Sequence, residues 1–182
     1  MAKLVSKVYG EALFELALEK KTMDELEKEI MFVRNVFRED GELLKFLNHP
    51  KISKDEKVKV IENIFKDKAS DDVVGFLVII VQKDRYNEMD AIFEYFLSEV
   101  KEYKKIGTAY VTSAVPLSGQ QKQKVEARLL EITEYVRLEM IYDCDAALIG
   151  GMVIRIGDRV VDSSIRTKLN TMAKELTKIQ LG

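Results

Sequence analysis

Chemistry in this chain would have to start from very few groups. His49 is the only histidine and Cys144 the only cysteine. A Ser–His or Cys–His pair would therefore need His49 brought against Cys144 or a serine. Pro50 places His49 in a loop, where a surface or capping role is the simpler reading. One thiol cannot form an internal disulfide, and one histidine leaves no zinc constellation. Two carboxylate pairs, Asp143 with Asp145 and Asp71 with Asp72, offer acid–base groups. No base or metal ligand accompanies either pair, so they read as a loop and a helix start. The remaining candidate is the run from Gly150 and Gly151 to Ser164. Glycines ahead of a helix can cradle phosphate, but a P-loop needs a Lys-Ser/Thr pair at the helix start and a dinucleotide turn needs three spaced glycines. Neither is here. The sequence predicts no catalytic residue, no metal and no cofactor.

What that run does predict is architecture. Met152, Ile154 and Ile156 share one face of a strand, and Val153 and Arg155 the other, because side chains alternate with a period of two. Gly157-Asp158 suits a two-residue hairpin loop, since glycine accepts positive φ without steric cost. Val160 and Val161 continue as the return strand. Asp162 or Ser163 is positioned to cap the next helix. That helix carries Ile165, Leu169, Met172, Leu176 and Ile179 at helical spacing, a single apolar stripe.

Composition sets the outer limits. With 182 residues, 47% of them apolar, the chain can bury one large core or two small ones. The 29 basic and 31 acidic residues nearly cancel, which argues against a dedicated nucleic-acid binder. The start, Met1 to Lys7, runs into a charged amphipathic pattern without the look of a signal peptide. The longest apolar run, Val73 to Val81, is interrupted by Gly75. It falls short of the roughly 20 residues that cross a bilayer. The expectation is a soluble monomer whose membrane role, if any, comes through a partner.

The first hundred residues read as helices. Val5, Tyr9, Ala12, Leu13 and Leu16 give one apolar face; Met23, Leu26, Ile30, Val33 and Phe37 give a second. Asp40-Gly41 breaks that helix, and Leu43, Leu44, Phe46 and Leu47 form a short third, stopped before Pro50. Ser53 and Glu56 form a capping box that opens a fourth helix with Val58, Ile61, Ile64 and Phe65. Ser70 caps a fifth, apolar almost all round and therefore expected to be contacted on several sides. Met89, Ile92, Phe93, Phe96, Val100 and Tyr103 mark a sixth. Near Gly107 the pattern changes. Thr108 to Val115 reads as a strand ended by Pro116. Ser118 and Gln121 form a second capping box, before a helix with Val125, Leu129 and Ile132 inward. Val136, Leu138 and Met140 then alternate as a half-buried strand. The expected fold is mainly α, an N-terminal six-helix bundle over 1–105 followed by a small α/β domain over 106–182.

This order of elements resembles the delta-subunit family of the F-type ATP synthase, called the oligomycin-sensitivity-conferring protein in mitochondria. Tyr9-Gly10-Glu11-Ala12-Leu13-Phe14 is similar to the family's opening helix, although an alanine is expected at Gly10, whose glycine should weaken that helix by up to ~1 kcal/mol. Phe46 to Ile52, followed by Lys57, is similar to its mid-bundle element. Ser113 to Ser118 is similar to its strand-to-helix junction. The stretch with Gly150, Gly151, Gly157, Asp158 and Asp162 is similar to its C-terminal signature. The resemblance implies a peripheral-stalk subunit with no bond chemistry of its own, on the cytoplasmic face of the membrane. It implies that the N-terminal bundle grips N-terminal segments of the alpha subunits, and that the C-terminal domain meets the end of the b subunits. It also implies a groove between the first and fifth helices, here Tyr9, Leu13 and Leu16 against Phe76, Ile79, Ile80 and Lys83. No nucleic acid, no membrane insertion and no homo-oligomer is expected. A generic helical adaptor unrelated to ATP synthase accounts for the first hundred residues but leaves the Gly150–Ser164 run unexplained.

Overall fold

The computed structural model describes residues 2–39 and 41–180, with side chains described from residue 4 to 39 and from 41 to 174. Among the described residues the protein is mainly helical with one small sheet, and it divides into two compact units, the first ending at Val100 and the second beginning at Lys101.

The first unit holds α1 (Ala2–Lys20), α2 (Met23–Glu39), α3 (Gly41–Leu47), α4 (Lys54–Phe65), α5 (Asp71–Gln82) and α6 (Met89–Tyr103), whose last residues pass into the second unit. The expected break at Asp40 lies outside the described residues. Every helix of this unit contributes to one core, from Leu13 and Ala17 on α1 to Phe93, Phe96 and Val100 on α6. The stripe expected on α2 is buried in full: Met23, Leu26, Ile30, Val33 and Phe37. The Ser53 capping box forms, with Glu56 N–H donating to the Ser53 hydroxyl at 3.3 Å and Ser53 N–H to the Glu56 carboxylate at 3.0 Å. Ser70 behaves differently from expectation. It occupies the N-cap position of α5, but its hydroxyl and its N–H both donate to Glu29 on α2, at 2.7 and 3.0 Å. The serine ties two helices together instead of capping one. The α5 surface is not covered all round either, since Gly75 and Ile79 face solvent.

Gly10 also departs from expectation. A Cβ there would stand 2.5 Å from the Tyr95 ring. The glycine lets α1 and α6 cross closely, and the helix propensity it gives up is the smaller effect.

The second unit carries β1 (Ile106–Ser113), α7 (Gly119–Ile132), β2 (Arg137–Cys144), β3 (Met152–Ile156), β4 (Arg159–Asp162) and α8 (Ile165–Gln180). The strands lie in the order β2-β1-β3-β4, with β1 and β2 parallel and the other neighbours antiparallel. Ala109, Leu129 and Leu138 centre a small core, against which Val125, Leu130, Ile154 and Ile156 pack. Three expectations shift here. β1 begins at Ile106 and ends at Ser113, where the Ser113 hydroxyl donates to the Val115 carbonyl at 2.7 Å and turns the chain before Pro116 is reached. Val136 precedes β2 and is exposed, its N–H bonded to the Lys105 carbonyl. Ile132, the last residue of α7, is exposed as well, and Leu130 packs inward in its place.

The hairpin forms as read: Ile156 pairs with Arg159 across Gly157-Asp158, and Gly157 has φ +53°. The cap of α8 is one residue later than expected. The Ser164 hydroxyl accepts from Thr167 N–H at 3.2 Å, while Asp162 accepts from Ser164 N–H at 2.8 Å and from the Thr167 hydroxyl at 2.7 Å. The Ser163 hydroxyl donates to the Met152 carbonyl instead. These bonds, the one from Thr167 first, hold the Asp162 carboxyl below the usual carboxylate range. Gly151 is required by close packing, since a Cβ there, at φ +76°, would press into the Ser163 carbonyl; one on Gly150 would meet only the far end of the exposed Ile165 side chain, at 2.6 Å, which can swing aside.

Candidate partner-binding surfaces

Four of the groups that could have done chemistry have structural tasks, and the Cys144 thiol is free and exposed. The Asp143 carboxylate accepts from Cys144 N–H and that of Asp145 from Ala147 N–H. Asp72 pairs with Lys20, and the His49 ring nitrogen accepts from Lys51 N–H. Among the described residues no cluster of His, Cys, Asp or Glu could hold a metal ion, and no helix is long and apolar enough to cross a membrane. What remains are surfaces.

The first lies along α1 and α5. The two helices are joined by the Lys20–Asp72 ion pair, 2.6 Å, and by an edge-to-face contact of the Tyr9 and Phe76 rings, 6.4 Å between centroids. Such a ring pair contributes about 0.5–1.5 kcal/mol beyond its buried area. The expected groove residues divide into two sets. Leu13 and Ile80 are 1% and 0% exposed and belong to the core, because they sit on the inner faces of their helices. That corrects their placement in the groove. Tyr9, Leu16 and Phe76 are half-buried along the seam, while Ile79 (48% exposed) and Lys83 face solvent. Asp72, Phe76, Ile79 and Lys83 follow one another at four-three-four spacing, so they form one ridge of α5 beside the Tyr9–Leu16 side of α1. Leu4 and Val8 are also exposed on α1. Their helical spacing alone could not separate them from inward residues.

The second surface is on the C-terminal unit. Ile165, Leu169 and Met172, the described part of the α8 stripe, are all exposed, while Leu176 and Ile179 lie outside the described side chains. Ile149 is exposed beside Gly150 and holds φ +67°, a conformation that strains a β-branched residue. Sequence reading missed it, because backbone angle leaves no trace in the apolar pattern. Charge separates the units. Up to Val100 there are 16 basic and 21 acidic residues, net −5; from Lys101 on there are 13 and 10, net +3, which together give the chain's −2.

A profile of the family described as ATP synthase delta (OSCP) subunit matches residues 5–176, spanning both units. The chain is 62% identical over 182 residues to the ATP synthase subunit delta of Lachnoclostridium phytofermentans, covering 100% of both chains. It is 35% identical to that of Alkaliphilus oremlandii, with 98% of this chain and 99% of the relative covered. A chain in the cryo-EM structure of the Toxoplasma gondii mitochondrial ATP synthase hexamer shares the fold at TM-score 0.69 and 19% identity, with 94% and 97% covered. Nothing in these matches supports a generic adaptor. With the helical unit, the signature hairpin and the full-length similarity in hand, the chain belongs to the ATP synthase delta (OSCP) subunit family.

Proposed function

We propose that this protein is the peripheral-stalk subunit that links the catalytic head of an F-type ATP synthase to its membrane sector and resists rotation of the head. It is a non-catalytic structural subunit. In this reading the six N-terminal helices act as one bundle and receive N-terminal segments of the alpha subunits on the α1–α5 ridge. The C-terminal unit receives the end of the b subunits on the α8 stripe. The protein then sits peripherally on the cytoplasmic side of the membrane.

The observation that carries this reading is that each unit leaves apolar side chains uncovered, Ile79 next along α5 from the half-buried Tyr9–Phe76 contact on one and Ile165–Leu169–Met172 on the other. A stator has to hold a partner with each unit, and an amphipathic helix laid against an apolar ridge is a recurrent way to do so. The test is titration of the full chain with two peptides, the N-terminal segment of alpha and the C-terminal segment of b. Ile79→Asp should weaken the first about thirtyfold or more and leave the second unchanged, and Leu169→Asp should do the reverse. Normal binding of the alpha peptide by Ile79→Asp with a normal melting curve would move the site elsewhere.

A further inference from the structure

The last helix is fastened at one end. Every described side chain along α8, from Ile165 to Lys174, is exposed. What holds it lies at its start. Ser164 is fully buried, and Ile165 N–H donates to the Gly150 carbonyl at 2.9 Å. Ser163 gives both its N–H and its hydroxyl to the Met152 carbonyl, at 3.0 and 2.9 Å. The short turn Ala146–Leu148 lies against the helix, and Leu148 is buried. A helix with so little of its surface covered has little packing to oppose its release.

The loop that fastens it carries strain. Its two ends are pinned to the end of β1: Asp145 N–H donates to the Ser113 carbonyl at 2.9 Å, and Ala114 N–H to that of Gly151 at 3.4 Å. The Asp145 carboxylate accepts from Ala147 N–H and tightens the turn between them. Ile149 then has to redirect the chain, at φ +67° and ψ −38°. A β-branched residue is an outlier there, displaced from the left-handed helical region toward the strained γ-turn. The Ile149 side chain stands 63% exposed, so its own burial does not offset the strain. The gain falls to its neighbour, since the turn that strains Ile149 is the one that buries Leu148.

We propose that the Asp145–Gly151 loop is a strained latch. Closed, it holds the first turn of α8; open, Ile149 takes an ordinary negative φ and α8 swings free of the sheet as an arm. Opening exposes Leu148 and breaks the bond between Ile165 and Gly150, and relief at Ile149 offsets part of that cost. The two states are thereby nearer in free energy than the packing of Leu148 alone would set, and the open one is a populated minor state. The sheet stays whole throughout, because its four strands pair without any residue of the loop.

The latch goes beyond the stator reading and is tested without a partner, so its failure leaves that reading standing. In the full chain carrying Cys144→Ser, a reporter Ser164→Cys is labelled by iodoacetamide only when α8 lifts. A second reporter, Val111→Cys, is buried in the sheet and reads opening of the whole unit. The Ser164 reporter should label about tenfold faster than the Val111 reporter, or more. Ile149→Gly lets the closed loop relax and should slow the Ser164 reporter about fivefold. Leu148→Ala should speed it by a larger factor than it speeds the Val111 reporter. Because Ser164→Cys alters the cap of α8, hydrogen exchange of the 165–174 amides in a chain changed only at Ile149 gives an independent reading, and it should slow alike. Equal labelling of the two reporters would mean that α8 never leaves by itself and would overturn the proposal. Exchange along α8 that is indifferent to Ile149→Gly would overturn it too, since the helix would then fray without the loop.

Discussion

The two units solve the problem of burial differently. In the helical unit the amphipathic faces turn inward on one shared core, and what remains exposed is a ridge of α5 with a few apolar side chains of α1 and α2. In the C-terminal unit a single helix covers one face of a four-stranded sheet, while α8 and the opposite face stay wet. Size alone does not explain this, since small domains are commonly closed. The first unit buries most of its apolar surface on itself; the second leaves a larger share of its apolar side chains exposed.

Substitutions can break that contrast. The largest effect is expected from Phe96→Ala, which empties a fully buried site in the helical core. It should cost about 3–5 kcal/mol. Hydrogen exchange should show protection lost over α1–α6 and kept over β1–β4. Loss everywhere would mean that the two units unfold as one. Gly151→Val attacks the other unit by forcing a β-branched residue to φ +76° against the Ser163 carbonyl. It should cost roughly 3 kcal/mol and release α8 from the sheet while the alpha peptide still binds.

Two glycines sharpen the comparison within helices. Gly10→Ala must displace the Tyr95 ring and should destabilise by about 1 kcal/mol despite the better helix former. Gly75→Ala meets open space on α5 and should stabilise the free chain by about 1 kcal/mol. Paired thermal melts decide, and equal signs would show that the close crossing at Gly10 is not what retains it.

The smallest effect concerns acid. Asp162 has its pKa lowered in the fold by its bonds to Thr167 and Ser164. Its contribution is therefore present above the ordinary carboxylate value of 3.8 and is lost as pH falls through the folded value. Asp90, held low first by Arg34 and then by Arg38, follows the same sign on the helical unit. Arg34→Gln should remove the larger part of the acid sensitivity from Asp90, with Arg38 still beside it, and Thr167→Val the larger part of that from Asp162. Tyr95 titrates in the opposite range. Partial burial, then the Glu99 and Glu11 carboxylates, push its phenol up to about 12. Its contribution is present below the ordinary value of 10 and lost as pH rises through the folded value, a loss that Tyr95→Phe should abolish.

Much of this was legible in the chain. Helical spacing located α2, the Ser53 and Ser118 boxes located two helix starts, and Gly157-Asp158 located the hairpin, because each rests on a local rule. What was hidden depended on a neighbour distant in sequence. Ser70 looks like a cap until Glu29 arrives, and Gly10 looks like a weakness until Tyr95 does. In the candidate site, Leu13 and Ile80 were indistinguishable from Ile79 by type, since core and ridge draw on the same apolar residues. Arg155 and Tyr110 could be placed on the outer side of their strands by alternation, but that the strands adjoin was readable only from the sheet order.

The strand order has a mechanical consequence. β1, which follows directly from α6, is antiparallel to β3, and β3 is antiparallel to β4, so β4 runs in the same direction as β1. A tension that enters at Ile106 and leaves through Ser164 pulls at opposite ends of strands that point the same way. It slides them along their length, so the hydrogen bonds that cross between them resist together instead of parting in succession. Pulling at Lys105 and Gly157, which lie at the same end of two antiparallel neighbours, would unzip them. In single-molecule stretching the first geometry should rupture at higher force than the second. The sheet is thereby a tether graded by direction, strong along the path from α6 to α8.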